Sequence, residues 1–140
     1  LNVHIRMPLI NYITSDGTGD IKSLNTITTP EFEVRTLNSG NMDLTINNNK
    51  LISRMHGSCD ITLNGTTGEH SCDVGGTGYL KAEGLQTNYT YIHSYTLGLC
   101  YVRCSGLLIS KIDYKGDVYC YGQPDTVQND ETGSGRLILE

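Results

Sequence analysis

The sequence predicts an all-β protein in which a shaft-like β ribbon, residues 1–55, leads into a small disulfide-bonded β-sandwich or barrel, residues 56–140. Three observations predict this class. Alanine occurs once in 140 residues and glycine 16 times, so the chain lacks the residues that helices favour. Short segments alternate apolar and polar residues with the period of a half-buried strand. Five cysteines are available for cross-links.

The first half of the chain carries several short alternating stretches. Residues 1–7 alternate strictly, which predicts a strand that ends near Pro8. Residues 31–35, 42–46 and 59–63 alternate in the same way, with clusters of Asn and Gly between them. Short strands separated by turn signals are typical of a sandwich, a barrel or a β-solenoid-like shaft. A soft boundary near residues 53–58 separates the ribbon from the second module.

Beyond residue 84 the predicted strands become longer and more apolar. They are residues 91–99, 100–109, 117–121 and 136–139. Residues 107–109 are continuously apolar, as in a strand covered on both faces. Residues 113–117 contain Lys-Gly between polar residues, which predicts a hairpin turn. Residues 123–135 are polar and rich in glycine, which predicts a loop.

The cysteines indicate an oxidising compartment, because they lie in a polar, Asn- and Thr-rich chain without a Cys-x-x-Cys motif. Cys59 and Cys72 flank a hairpin-like turn segment, so we predict that they pair. Cys120 is predicted to pair with Cys100 or Cys104, and the spacing does not decide between them. One cysteine is left over, either as a buried thiol or as a partner for a bond outside this chain.

Tyrosine is concentrated in the second half of the chain. Seven of the nine tyrosines lie between residues 89 and 121. A tyrosine ring offers a rigid apolar face and a hydroxyl at low entropic cost, which suits recognition of saccharides and of protein epitopes. An alternative is that these tyrosines only fill half-buried strand positions. The predicted ligand-binding residues are Tyr114, Tyr119, Tyr121, Asp113, Lys115 and Asp117.

Other function classes find little support in the sequence. The net charge is −5 and there is no basic run, which argues against nucleic-acid binding. No apolar stretch approaches the ~20 residues of a membrane-spanning helix, so we expect no membrane insertion. The four histidines stand alone, and no nucleophile elbow or zinc-protease motif occurs, so we expect no catalytic residues, metal or cofactor. Asn64 and Asn88 begin glycosylation sequons, whose use the sequence does not decide.

Residues 12–32 include Gly19-Asp20-Ile21 and Ile27-Thr28. Strings of this kind resemble the shaft repeats of fibre proteins, namely phage tail fibres and the adhesive minor pilins of type IV conjugative pili. The resemblance covers about the first fifty residues and is one of rhythm and composition. It implies a trimeric or otherwise oligomeric fibre end that binds bacterial surface glycans, and it identifies no site residues.

Together these observations predict a non-enzymatic adhesin or receptor-binding tip that recognises a cell-surface glycan or lipopolysaccharide. Its expected location is extracellular or at the cell surface, on a pilus, fibre or virion, and its expected state is a homotrimer or another homo-oligomer. The main alternative is a structural subunit of a surface appendage or virion. A secreted hydrolase is a weaker alternative.

Overall fold

The computed structural model describes residues 2–140, and its regular structure consists of twelve β-strands. The all-β prediction is therefore confirmed. The strands are β1 (Tyr12–Ser15), β2 (Ile21–Lys22), β3 (Ile27–Thr28), β4 (Glu31–Thr36), β5 (Met42–Met55), β6 (Ile61–Gly76), β7 (Leu80–Thr96), β8 (Cys100–Arg103), β9 (Leu107–Ile112), β10 (Val118–Tyr121), β11 (Thr126–Glu131) and β12 (Leu137–Leu139).

The strand pairs are parallel, and the chain winds into a β-solenoid of about 7 turns. Met42 pairs with Ile61 and Ile61 pairs with Leu80, so each of these turns takes 19 residues (61 − 42 and 80 − 61). Parallel neighbours need a long return connection, and in a solenoid the rest of the coil supplies it. The predicted sandwich or barrel is therefore wrong, and the solenoid alternative is correct.

Each coil contributes strands to two stacked sides. Side one contains β2, the first parts of β5, β6 and β7, and then β8, β10 and β12. Side two contains β1, β4, the later parts of β5, β6 and β7, and then β9 and β11. Outward residues at equivalent positions therefore form columns along the solenoid axis.

The core is built from the corresponding inward columns. On side two, Phe32, Leu51, His70, Thr90 and Leu108 follow one another in register, and all five are buried. Because in-register parallel pairing places like positions above one another, the alternating inward residues of successive strands form a continuous interior that is mostly apolar and includes a few polar residues such as His70 and Thr90. The predicted alternation at 31–35, 42–46 and 59–63 supplies part of these columns.

Glycine marks the corner that leads into side one. At five positions an added Cβ would overlap the backbone of the preceding coil, namely Gly40, Gly78, Gly98, Gly116 and Gly135: a Cβ at Gly98 meets the Gly78 carbonyl oxygen, and one at Gly116 meets the Gly98 carbonyl oxygen. The coils are therefore in backbone contact at this corner. The column consists of Gly19, Gly40, Cys59, Gly78, Gly98, Gly116 and Gly135.

The two segments predicted as hairpin turns are corners of the solenoid. Gly65 lies inside β6 with a φ of 110°, so the chain bends there and continues into the same coil. The segment 113–117 likewise joins β9 on side two to β10 on side one, and β10 pairs in parallel with β8. Glycine lies at the bend in both cases, Gly65 in one and Gly116 in the other, but no antiparallel partner follows.

The predicted disulfide bonds are wrong. All five cysteines are free thiols, and all are buried. Without a hairpin at 63–68, Cys59 and Cys72 lie in different parts of the core: the Cys59 thiol contacts the Thr36 hydroxyl at the corner before β6, and the Cys72 thiol, inside β6, lies 3.2 Å from the His70 ring. Cys100, Cys104 and Cys120 are likewise interior residues and form no bond with one another.

The predicted N-terminal strand also differs from the structure. Residues 2–11 contain no strand, and Leu1 lies outside the described residues. The side chains that alternate there, including Val3 and Ile5, are 75% and 78% exposed. No helix among residues 2–140 is long and apolar enough to cross a membrane. The domain boundary at residue 55 stays a prediction, and β5 and β6 pair in register from Met42 to Met55.

Candidate functional site

The six predicted binding residues fall into three places. Tyr119 and Tyr121 are outward residues of β10 on side one. Tyr114 and Lys115 are exposed in the corner that precedes β10, where the Lys115 ammonium group lies 5.9 Å from the Tyr114 ring centroid. Asp113 ends side two, and Asp117 accepts a hydrogen bond of 2.8 Å from the Arg136 backbone N–H at the corner. Their role in binding stays a prediction.

The tyrosines of β8 and β10 form what we call the tyrosine strip, namely Tyr101, Tyr119 and Tyr121 with Arg103. Tyr101 and Tyr119 pair in register and stack with ring centroids 5.3 Å apart. The Arg103 guanidinium lies 5.8 Å from the centroid of the Tyr121 ring. Burial, and then the neighbouring tyrosines, raise the pKa of Tyr101. The stack directs ring faces at one another, so the strip offers hydroxyls and ring edges to solvent.

A concavity lies on side two. In β6 the outward residues are small: Ser71, Asp73 and Gly75. In register on the β5 side are Ile52 and Arg54, and on the β7 side are Tyr91, His93 and Tyr95. A coil with small outward side chains between two coils with large ones leaves a groove parallel to the strands. We call it the central groove; its volume is about 220 Å³, and it is lined by Ile52, Ser53, Arg54, Ser71, Cys72, Asp73, Tyr91 and His93.

One end of the central groove is closed by Tyr95. A Cβ at Gly75 would overlap the Tyr95 ring, so the missing side chain allows the ring to lie across β6. The Tyr95 hydroxyl oxygen is then 3.3 Å from Nδ1 of His56, two coils away. Burial, and then the Asp73 carboxylate, raise the pKa of Tyr95 to about 12, so its hydroxyl stays protonated at neutral pH.

The His93 ring is fixed from the far side of the groove. Its Nε2 donates to Oδ2 of Asp113 over 2.7 Å, and Oδ1 of Asp113 accepts a hydrogen bond of 2.6 Å from Thr132. Lys111 lies 3.5 Å from the same carboxylate. The hydrogen bonds from Thr132 and His93 lower the pKa of Asp113 to about 2. Asp113 is therefore a positioning residue for His93.

The charges around the groove are unevenly paired. Arg54 forms an ion pair of 3.1 Å with Glu33 on the neighbouring strand. Asp73 has no lysine or arginine partner among the described residues; its Oδ1 lies 3.8 Å from Nδ1 of His93, and its carboxylate also acts on Tyr95. Oδ1 of Asp73 is buried and accepts no hydrogen bond within residues 2–140. The groove thus places an aromatic ring beside a paired cation and a carboxylate that has no lysine or arginine partner among the described residues.

The central groove was not predicted from the sequence, because its residues lie in three coils and come together only through the solenoid register. A local signal was present: Ser71, Asp73 and Gly75 alternate as small residues, whereas Tyr91, His93 and Tyr95 alternate as large ones. The two triplets are 20 residues apart (91 − 71), which is one coil. Among the described residues, no three His, Cys, Asp or Glu side chains are grouped to hold a metal ion.

The fold and this surface define a β-solenoid with an outward face of aromatic and charged columns, a class that presents an extended surface to partners. The chain belongs to the family described as "Putative auto-transporter adhesin, head GIN domain", whose model matches residues 1–124. The predicted adhesin class is confirmed at this level, whereas the phage-fibre and pilin families are not what the chain matches.

Two crystal structures share the fold. A putative adhesin from Bacteroides fragilis superposes with a TM-score of 0.92 at 23% identity, over 95% of this chain and 62% of that one. A putative adhesin from Parabacteroides distasonis superposes with a TM-score of 0.87 at 21% identity, over 92% of this chain and 55% of that one. The chain thus spans less than two thirds of the length of either protein. Among curated proteins, none matches it.

Proposed function

We propose that this chain is the non-enzymatic binding domain of a surface or extracellular adhesin, and that it recognises a cell-surface glycan or lipopolysaccharide through the central groove. The observation that carries the proposal is the groove itself: Tyr91 presents a 44% exposed ring beside Asp73 and Arg54. Sugars present apolar C–H faces and polar rims, so an aromatic face beside charged hydrogen-bonding groups matches both. Membership of an adhesin family supports the proposal.

A glycan array tests it with a matched pair of variants. Tyr91→Ala removes the exposed ring of the groove, and we expect it to weaken binding by about 1–2 kcal/mol. Tyr89→Ala is the control, because Tyr89 is 57% exposed two residues earlier in β7 but does not line the groove. The control should fold and bind like the parent. Equal binding by parent and Tyr91→Ala would rule out the groove as the site.

The tyrosine strip provides the competing location. Tyr119→Ala and Tyr121→Ala test it in the same array, and Tyr114→Ala tests the corner. Loss of binding in these variants with full binding in Tyr91→Ala would assign recognition to the residues that the sequence predicts. Retention in all four variants, together with unchanged folding, would place the site elsewhere on the molecule.

We further propose that copies of the chain associate as a homotrimer or another homo-oligomer through the N-terminal segment. In residues 2–9 every second side chain is apolar, and Val3, Ile5, Met7 and Leu9 are each more than half exposed. An exposed apolar row of this kind is stabilised when a second surface covers it.

A further inference from the structure

The Arg103 side chain of the tyrosine strip is held in place without an ion pair. Its Nε donates a hydrogen bond of 2.7 Å to the Glu83 carbonyl oxygen, and its guanidinium lies 5.8 Å from the centroid of the Tyr121 ring. Among the described residues it pairs with no carboxylate, whereas Arg54 and Arg136 each pair with a glutamate. The guanidinium is therefore fixed in position while its charge has no opposite charge beside it.

The two terminal nitrogens of this guanidinium are open to a ligand. Arg103 is half-buried, and these nitrogens donate no hydrogen bond within the described part of the chain. The buried side-chain atoms without a partner there belong to Asn48, Asp73 and Ser110, so the Arg103 nitrogens are not enclosed. The exposed Glu83 side chain, one coil away, forms no ion pair with them. Two parallel N–H donors of this kind match the two oxygens of a planar carboxylate.

The strip offers polar groups more than aromatic faces. Tyr101 and Tyr119 stack with ring centroids 5.3 Å apart, so each ring covers one face of the other. The Arg103 guanidinium covers one face of the Tyr121 ring in the same way. Because a neutral sugar binds aromatic residues largely through ring faces, this arrangement favours a ligand that is recognised by charge and by hydrogen bonds to hydroxyls.

We propose that the tyrosine strip binds a carboxylate-bearing sugar, such as a uronic acid. Its carboxylate lies on the Arg103 guanidinium, and its hydroxyls bond to the hydroxyls of Tyr101 and Tyr121. An acidic peptide offers the same carboxylate but lacks the row of hydroxyls, so it should bind more weakly. The strip lies on side one and the central groove on side two, so the inference goes beyond the function proposed for the groove and does not depend on it.

Isothermal titration calorimetry with four trimers tests the inference: galacturonic acid, its methyl ester, sulfated galactose and glutamate. We expect the galacturonate trimer to bind more tightly than the other three. Its advantage over the methyl ester should be at least tenfold, about the effect of one charge-assisted hydrogen bond. Arg103→Gln should remove this preference for acid over ester. Arg103→Lys keeps the charge but not the fork of donors, and it should lower the preference.

Arg35→Gln is the matched control, because it removes the same charge from an exposed arginine in β4 on side two. It should leave the preference intact, and circular dichroism checks that each variant folds. Equal binding of acid and ester, an unchanged preference in Arg103→Gln, or no binding by any trimer overturns the inference. Equal or tighter binding of the sulfated sugar or of the glutamate trimer overturns the assignment to a carboxylate-bearing sugar. The glycan array with Tyr91→Ala tests the central groove separately.

Discussion

The buried thiols are the residues whose chemistry the fold changes most. Burial raises the pKa of Cys100 to about 12 and that of Cys120 to about 11. The pKa of Cys72 also lies well above its ordinary value, again chiefly through burial. Because the thiolate is the reactive form, thiols of this kind act as small apolar core residues.

We therefore expect the folded protein to react slowly with iodoacetamide, and all five cysteines to react once it is unfolded without a reductant. Mass spectrometry of the intact protein counts the adducts. Three or fewer adducts after unfolding would show that two of the cysteines form a disulfide bond. Rapid labelling of the folded protein would contradict the burial of the thiols.

His70 is a second interior residue with altered chemistry. It occupies an inward column position, with Nε2 2.8 Å from the Ser53 hydroxyl oxygen. Burial lowers its pKa from 6.5 to about 4, so the folded state holds the ring neutral. The unfolded chain binds a proton more readily between these values, so the free energy of unfolding falls as the pH falls through that range.

We expect this residue to cost the folded protein up to roughly 3 kcal/mol between about pH 7 and about pH 4. Urea unfolding at several pH values measures the loss. His70→Leu, which introduces the leucine found at positions 51 and 108 of the same column, should reduce the pH dependence. His4→Gln is the control, because His4 is exposed and should leave the pH dependence unchanged. A pH dependence that survives in His70→Leu would assign the effect to other groups.

At the scale of the strand, the sequence indicates what each segment is but not what it pairs with. Residues 31–35 alternate because one face is buried, and they form β4. The same alternation fits an antiparallel or a parallel neighbour, so Asn and Gly at 64–68 resemble a hairpin although they form a corner. The distinguishing information is the recurrence of glycine at intervals of 18–21 residues, interrupted once by Cys59, which belongs to the corner column and not to any single strand.

The central groove could not be predicted from the sequence for the same reason. Tyr91 and Ser71 are neighbours only through a register one coil apart. The tyrosine cluster, by contrast, is visible in the sequence, but its members divide between the two sides: Tyr101 and Tyr119 belong to side one, and Tyr89 and Tyr91 to side two. In a solenoid, therefore, tyrosines that are close together in the sequence do not necessarily lie on the same surface.

The corner column gives a prediction at this scale. Gly98→Ala places a Cβ against the Gly78 carbonyl oxygen, so we expect a loss of roughly 1–3 kcal/mol in the free energy of unfolding. Gly17→Ala is the matched control, because nothing lies within 4 Å of its Cβ position. Chemical denaturation measures both variants. Similar stability in the two variants would mean that the coils can move apart at the corner without cost.

For the whole molecule, the exposed N-terminal segment leads to a prediction about assembly. We expect multi-angle light scattering at micromolar and higher concentration to give a mass above that of the 15.4 kDa chain. Ile5→Asp, in the middle of the apolar row, should shift the mass towards that of the monomer. Leu24→Asp is the control, because Leu24 is 74% exposed but stands apart from the row. A monomeric parent at every concentration would refute self-association through this segment.

The parallel register has a mechanical consequence for the domain. The backbone hydrogen bonds between coils run along the solenoid axis, so tension applied at the two chain ends peels one coil from the next. Each detached coil of 19 residues adds roughly 60 Å of slack before the next coil bears the load. Pulling the chain in an atomic force microscope should therefore give a series of unfolding events with similar increases in chain length. The domain would then dissipate a sudden load by unfolding one coil after another.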